Sequence, residues 1–202
     1  MAGHPKLKLP VPPGFTITTA ACKYFSANNE SWPKGLEEEV KASLSQLEKL
    51  SGKKLGDSQN PLLVSVRSGA KFSMPGMMDT ILNLGLNDES VLAFAKLTNN
   101  PRLAWDSYRR FIQMFSNVVL GVDKKEFEEL IERKKKELGV SYDIDLDVVA
   151  LKDLVARFKR YLKEAAKREF PQEPGQQLRM AINAVFASWD NERAIYYREL
   201  KK

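Results

Sequence analysis

The 202-residue chain, 43% apolar and 29% charged, is long enough for one or two domains and apolar enough for a real core. Its 32 Lys and Arg against 26 Asp and Glu leave a net charge of +6, which suits an anionic ligand such as a nucleotide but is too diffuse to require nucleic acid. One cysteine and one histidine exclude a disulfide framework and any cysteine-only or His-pair metal site within the chain, and no apolar run approaches the ~20 residues that span a bilayer.

Residues 1–87 are rich in Gly, Pro and Thr and carry short β-type runs. Phe15-Thr16-Ile17-Thr18-Thr19 alternates apolar and polar, β-branched side chains and predicts a half-buried strand. Leu36, Val40, Leu44, Leu47 and Leu50 form one helical stripe with Gly52 as its stop. Leu62-Leu63-Val64-Ser65-Val66, after Pro61, predicts a buried strand.

Residues 88–170 are helical in pattern. Asp88 is placed to cap a helix running through Leu97, and Asn100-Pro101 gives a cap followed by proline at the first helical position. Leu103, Tyr108, Phe111, Ile112, Phe115, Val118 and Val119 share a face of the helix that follows. Asp123 with Glu126 has the form of a capping box for a third helix, with Phe127, Leu130, Ile131 and Leu138 apolar and Gly139 at its end. A fourth helix from about Asp147 buries Leu151, Leu154, Val155, Phe158 and Leu162, and Phe170-Pro171 marks the end of this zone. The run Arg133-Lys134-Lys135-Lys136 reads as a solvated face, since cations complement a helix C-terminus and four glutamates precede it at or near pairing distance.

Residues 171–202 open a helix at Pro174 with Leu178, Ile182, Val185, Phe186 and Trp189 on one face, and Asp190-Asn191 breaks before a short amphipathic segment. Cys22 reads as a small buried or half-buried hydrophobe, with no histidine placed to activate it, and the three tryptophans read as packing residues.

The stretch that carries chemistry is Ser65 to Thr80, which leaves a predicted strand with an Arg, a Lys, three serines and two glycines among Met and Phe. Arg67 offers a planar fork of donors to phosphate oxygens. Gly69 and Gly76 let backbone N–H groups approach a ligand, and the serines add short donors. No Gly-Lys-Ser/Thr ending makes this a Walker loop, and by composition alone a surface hairpin with its methionines tucked inward competes with phosphate binding.

Ser65-Val66-Arg67-Ser68-Gly69-Ala70 and Ser73-Met74-Pro75-Gly76-Met77-Met78-Asp79-Thr80-Ile81-Leu82-Asn83-Leu84-Gly85-Leu86-Asn87 resemble the N-terminal nucleotide-binding domain of the pyruvate, phosphate dikinase family. Leu9 to Thr19, Asp106 to Phe111, Ala187 to Asp190 and Arg193-Ala194 match as well, so the resemblance runs from about Leu9 to the end. It implies an α+β fold: the first subdomain of an ATP-grasp-type domain with a small mixed sheet in residues 1–87, a large all-helical insertion in 88–170, and a helical return in 171–202. The activity it implies is transfer of a phosphoryl group from ATP, with Mg²⁺, to a histidine on a swivelling domain, leading to phosphoenolpyruvate, AMP and pyrophosphate.

On that resemblance Arg67 is the phosphate-binding arginine, Ser68, Gly69, Gly76 and Asp79 belong to the loop over the phosphates, and Arg193 and Arg198 are candidates for docking the swivelling domain. No catalytic and no metal-binding residue is expected within the chain. The family's upstream Gly-x-Lys-Gly element has no match in residues 1–8, and His4 matches no phosphorylated histidine. The chain reads as a partial domain that ends before the metal-binding acids and the adenine pocket, inactive alone, soluble and cytoplasmic, with family members homo-oligomeric and with neither nucleic acid nor membrane as partner. The alternative is a non-catalytic interaction or regulatory module that kept the scaffold.

Overall fold

Residues 12–69 and 79–200 are described by a computed structural model, and the chain divides into two units, one up to Lys53 and one from Lys54. His4, Lys6 and Lys8 lie outside the described residues.

In the N-terminal unit the alternating run from Phe15 does not become a strand. Residues 12–18 pair with no strand among the described residues, and Thr18, extended at φ −74° and ψ 158°, leads into helix α1, Thr19–Ala27. The period of two in residues 15–19 competes with a period of four in Ala21 and Phe25, the two residues that α1 buries, and the helical period wins from Thr19 onward. Helix α2, Leu36–Ser51, buries Leu36, Val40 and Leu47 as the stripe predicts, while Leu50 stays 76% exposed. Gly52, left-handed at φ 64°, closes it by donating its N–H to the Glu48 carbonyl.

The second unit opens with two short parallel strands, β1 (Lys54–Leu55) and β2 (Pro61–Leu62). Between them Asp57 Oδ1 accepts from the N–H groups of Gln59 at 2.6 Å and Asn60 at 2.8 Å, the local bonding that shapes an Asx turn. The run expected as one strand is split at Leu63. A second strand, β3 (Val64–Arg67), pairs antiparallel with β4 (Thr80–Leu84), so the mixed sheet of the sequence reading consists of two separate two-stranded pieces. A two-stranded ribbon is marginal by itself; here helices supply the missing face.

Those helices follow in order: α3 (Ser90–Thr98), α4 (Pro101–Val118), α5 (Lys124–Leu138), a 3₁₀ turn at Asp143–Asp145, α6 (Val148–Ala166), α7 (Pro174–Ala187), a 3₁₀ turn at Ser188–Asp190, and α8 (Glu192–Leu200). Asn100 caps α4 by accepting from the Leu103 N–H at 2.9 Å, and Asp147 caps α6 by accepting from Ala150 at 2.8 Å. Two cap assignments need correction. Asn87, rather than Asp88, holds the start of α3 by accepting from the N–H groups of Glu89 and Ser90, because Asp88 is engaged by Tyr108 and Lys159. Asp123 does cap α5 through the Lys125 N–H at 3.0 Å, but Glu126 pairs with Arg133 instead of closing a box.

α4 is the central helix of this unit and contacts α3, α5, α6 and β4. Its Tyr108, Phe111, Ile112 and Phe115 are fully buried, whereas Leu103, expected on the same face, is 45% exposed. Phe170 sits edge-on to three of those rings, with centroids 6.1 Å from Tyr108, 5.5 Å from Phe111 and 5.6 Å from Phe115. Phe127 of α5 meets Phe158 and Tyr161 of α6 at 4.8 and 5.1 Å.

A buried polar side chain of α7 ties it to the turn that follows β4. Gln177, with no exposed surface, accepts from the Gly85 N–H at 3.1 Å and donates to the carbonyls of Leu86 at 3.0 Å and Pro171 at 2.8 Å. Gly85 stands at φ 106°, and a Cβ there would lie 2.8 Å from the Leu62 carbonyl oxygen, so only glycine fits this turn after β4.

The basic run of α5 is not simply a solvated face. Lys134 and Lys135 keep only 13% and 12% of their side-chain surface exposed, and they pair with Glu137 and Asp153, and with Glu132 and Asp143, respectively. Arg157 of α6 binds the same Glu137 and Asp153 at 2.9 Å each, so these ion pairs clasp α5 to α6.

Candidate functional site

The register of the β3–β4 pair sets the site. Arg67 lies opposite Thr80, so the last residue of β3 and the first of β4 stand at the same end of the ribbon, and Ser68, Gly69 and Asp79 extend from that end. Arg67 is exposed and forms no ion pair with any described residue. Without an ion pair among the described residues, its fork of donors is of the kind that matches two phosphate oxygens at once. Ser68 is half-buried beside it. Gly69 is exposed, and a Cβ built there would meet no atom of the described residues within 4 Å. Gly76 lies outside the described residues.

Asp79 is half-buried. Burial pushes its carboxyl above the usual aspartate range, and the positive charge of Arg193 opposes the shift. Its backbone N–H donates to Ser188 Oγ at 3.3 Å, and the same hydroxyl donates to the Val185 carbonyl at 2.7 Å. The structure therefore brings together Arg67, Ser68, Gly69 and Asp79 from the hairpin with Ser188 and Arg193 from the C-terminal elements. Arg198 is differently employed. Its guanidinium lies 4.2 Å from the centre of the Trp189 ring and donates to the Trp189 carbonyl, which commits it to the 3₁₀ turn that precedes α8.

Ser188 and Gln177 are the polar residues the sequence reading gave no role. Ser188 lay within a segment that matched the family, but its hydroxyl acts on a residue 109 positions away, a relation no local pattern reports. Gln177 falls in a helix whose neighbouring Gln176 is exposed, so residue type alone does not mark it as buried.

Two cavities of about 400 Å³ lie elsewhere. One, in the N-terminal unit, is lined by Phe15, Ile17, Tyr24, Leu36 and Val40 among others. The second lies between α4 and α5, with Arg109, Arg110, Glu128, Glu132 and Asp143 on its walls. Neither includes a residue of the hairpin end. Among the described residues no group of three or more His, Cys, Asp or Glu could hold a metal ion, and no helix is long and apolar enough to cross a membrane.

Comparison with known proteins bears on this site. Residues 28–202 match the family described as "Pyruvate phosphate dikinase, AMP/ATP-binding domain". The chain is 54% identical over 195 residues to "Pyruvate, phosphate dikinase" of Clostridium symbiosum, covering 96% of this chain and 22% of that protein. It is 54% identical over 193 residues to the protein of the same name from Entamoeba histolytica, with the same shares. "Pyruvate, phosphate dikinase 1, chloroplastic" of Arabidopsis thaliana is 48% identical over 202 residues, all of this chain and 21% of that protein. The chain thus spans about a fifth of the length of these curated relatives.

Proposed function

The chain belongs to the pyruvate phosphate dikinase AMP/ATP-binding domain family, and on that footing we propose that it supplies one wall of an ATP phosphate site, with Arg67 as its principal cation. The observation that carries this reading is the exposed guanidinium at the end of β3, which forms no ion pair with the described residues. Phosphoryl transfer asks a protein mostly for positioning and charge neutralisation, and a guanidinium carried on a strand end serves both. Ser68, Gly69, Gly76 and Asp79 would border the phosphates. The reaction carried over with this reading uses inorganic phosphate as co-substrate: a histidine on a swivelling domain carries the phosphoryl group, so that ATP, phosphate and pyruvate give AMP, pyrophosphate and phosphoenolpyruvate.

Mg²⁺ would offset charge on the phosphates when bound. In this reading its ligands belong to parts of the dikinase other than the described residues, and the chain alone is inactive. Arg193, exposed on α8, is the better of the two candidates for docking the swivelling domain, since Arg198 is held by Trp189. The organisation we adopt is a strand-bearing part in residues 1–87, a helical insertion in 88–170 and a helical return in 171–202, in a cytoplasmic, homo-oligomeric enzyme.

Calorimetric titration of the chain with ATP tests the reading. Weak binding is expected, and Arg67→Ala should weaken it about tenfold, as loss of a charge-assisted contact of about 1.5 kcal/mol or more implies. Equal affinity in the two proteins would overturn the role of Arg67, and phosphoenolpyruvate formation by the chain alone would overturn the partial-domain reading. A second reading, a non-catalytic interaction module, draws on Tyr142, Ile144 and Val149, each more than 70% exposed at the connection between α5 and α6. It predicts a specific partner whose binding is indifferent to ATP.

A further inference from the structure

Among the described residues, a hydrogen bond crosses from the C-terminal elements to the hairpin end, from the Asp79 N–H to Ser188 Oγ. Ser188 is 4% exposed, sits in the 3₁₀ turn between α7 and α8, and is itself fixed by donating to the Val185 carbonyl at 2.7 Å. Its oxygen is therefore a rigid acceptor rather than a roaming surface hydroxyl. The residue it holds adjoins Thr80, and Thr80 is the register partner of Arg67. A short chain of contacts thus runs from the Ser188 hydroxyl through Asp79 and Thr80 to the strand end that bears Arg67. On the far side, Gly85 at the other end of β4 is held by Gln177, eleven residues before Ser188 on the same C-terminal stretch. Both ends of β4 are pinned by the α7 region, one through a side-chain amide and one through a hydroxyl.

We infer that Ser188 is a positioning residue for the phosphate site: it touches no ligand, but by fixing Asp79 and Thr80 it sets where Arg67 stands. This rests on the reading of Arg67 as the phosphate cation. A two-stranded ribbon has little rigidity of its own, so removing an anchor at its mouth loosens the guanidinium. Binding of an anion must then restore the order that the hydroxyl had supplied in advance. The α8 segment, which begins two residues after this 3₁₀ turn, becomes mechanically coupled to the site. Any event that shifts α8 shifts the acceptor on which Asp79 hangs.

The experiment is a double-mutant cycle on the full chain with Ser188→Ala and Arg67→Ala, reading ATP binding by titration of backbone amide resonances and amide hydrogen exchange at Asp79. Ser188→Thr, which retains the hydroxyl, is the conservative control. The expected result is about a fivefold loss of ATP affinity in Ser188→Ala, as for one hydrogen bond of about 1 kcal/mol, with faster exchange at Asp79. Ser188→Thr should recover at least part of both effects. In the Arg67→Ala background Ser188→Ala should cost nothing further, because there is no guanidinium left to position.

Equal, additive losses in both backgrounds would mark Ser188 as merely structural and overturn the inference. So would unchanged affinity in Ser188→Ala, or unchanged exchange at Asp79. If Arg67→Ala itself leaves ATP binding intact, or if ATP moves no resonance near Arg67, the phosphate reading falls first. The exchange measurement, which needs no ligand, then still decides whether Ser188 holds the strand end.

Discussion

Gln177 does at one position what a ladder of strand bonds does elsewhere. It serves an amide and two carbonyls from different segments, all shielded from water. Gln177→Leu keeps the volume and removes every partner, leaving the Gly85 N–H and the Leu86 and Pro171 carbonyls unsatisfied. The expected loss is about 3 kcal/mol, read as a lower urea midpoint. Gly56 is equally intolerant for a steric reason: its φ is 71°, and an added Cβ would lie 2.0 Å from Pro174 Cγ. Gly56→Ala should cost more than about 2 kcal/mol, because either the turn before β2 or the start of α7 must move.

Asp79 carries an opposite kind of signal. Burial raises its folded pKa above 3.8, so the folded state holds the proton more tightly than the unfolded one. Stability from this group is fullest below the ordinary carboxylate range and declines as pH rises through the raised value. Asp79→Asn should therefore raise the melting temperature slightly near neutrality and leave it unchanged in acid; a fall at neutral pH would contradict the sign.

At the scale of elements, caps and packed rings decide where each helix begins and what it buries. Asn100→Ala and Asp147→Ala should each cost about 1 kcal/mol. Phe170→Ala, which empties the centre of three edge-on rings, should cost about 3–5 kcal/mol. Guanidinium titrations of the three variants distinguish the two classes by magnitude.

The helices were legible because stripe, cap and stop agree within a few residues of sequence, as with Asn100-Pro101, Asp147, Gly52 and Gly139. Helix α1 was not, since β-branched threonines on both sides of its start write a period of two over the Ala21–Phe25 spacing. The Asp88 cap failed for a different reason: Tyr108 and Lys159, 20 and 71 residues away, recruit that carboxylate and leave the capping to Asn87. Of the proposed site, Arg67 and its neighbours come from a contiguous motif. The hydroxyl that braces them could not be read this way, because serine in a 3₁₀ turn looks the same whether or not a distant amide meets it.

For the C-terminal unit as a whole, charge cooperates with the aromatic core. Glu137 and Asp153 lie below their usual carboxylate range chiefly because Arg157 and Lys134 donate to them, respectively. Groups with lowered folded pKa values stabilise the fold above the unfolded value and lose that contribution as pH falls through the folded one. Acid should therefore loosen α5 from α6, and high salt should weaken the same clasp at neutral pH. A melting-temperature profile taken downward from neutrality should fall less steeply in Asp153→Asn than in the parent, once each is normalised to its neutral value. Parallel profiles would mean that the clasp carries little.

The stacking of Arg198 on Trp189 has a practical corollary. An indole with a cation over its face reports its surroundings through the intensity and colour of its emission, and this one sits at the root of the last helix. With Trp32 and Trp105 replaced by phenylalanine, the remaining fluorophore would become a local gauge of α8. Fraying of that helix would register as a spectral change before the aromatic interior gives way.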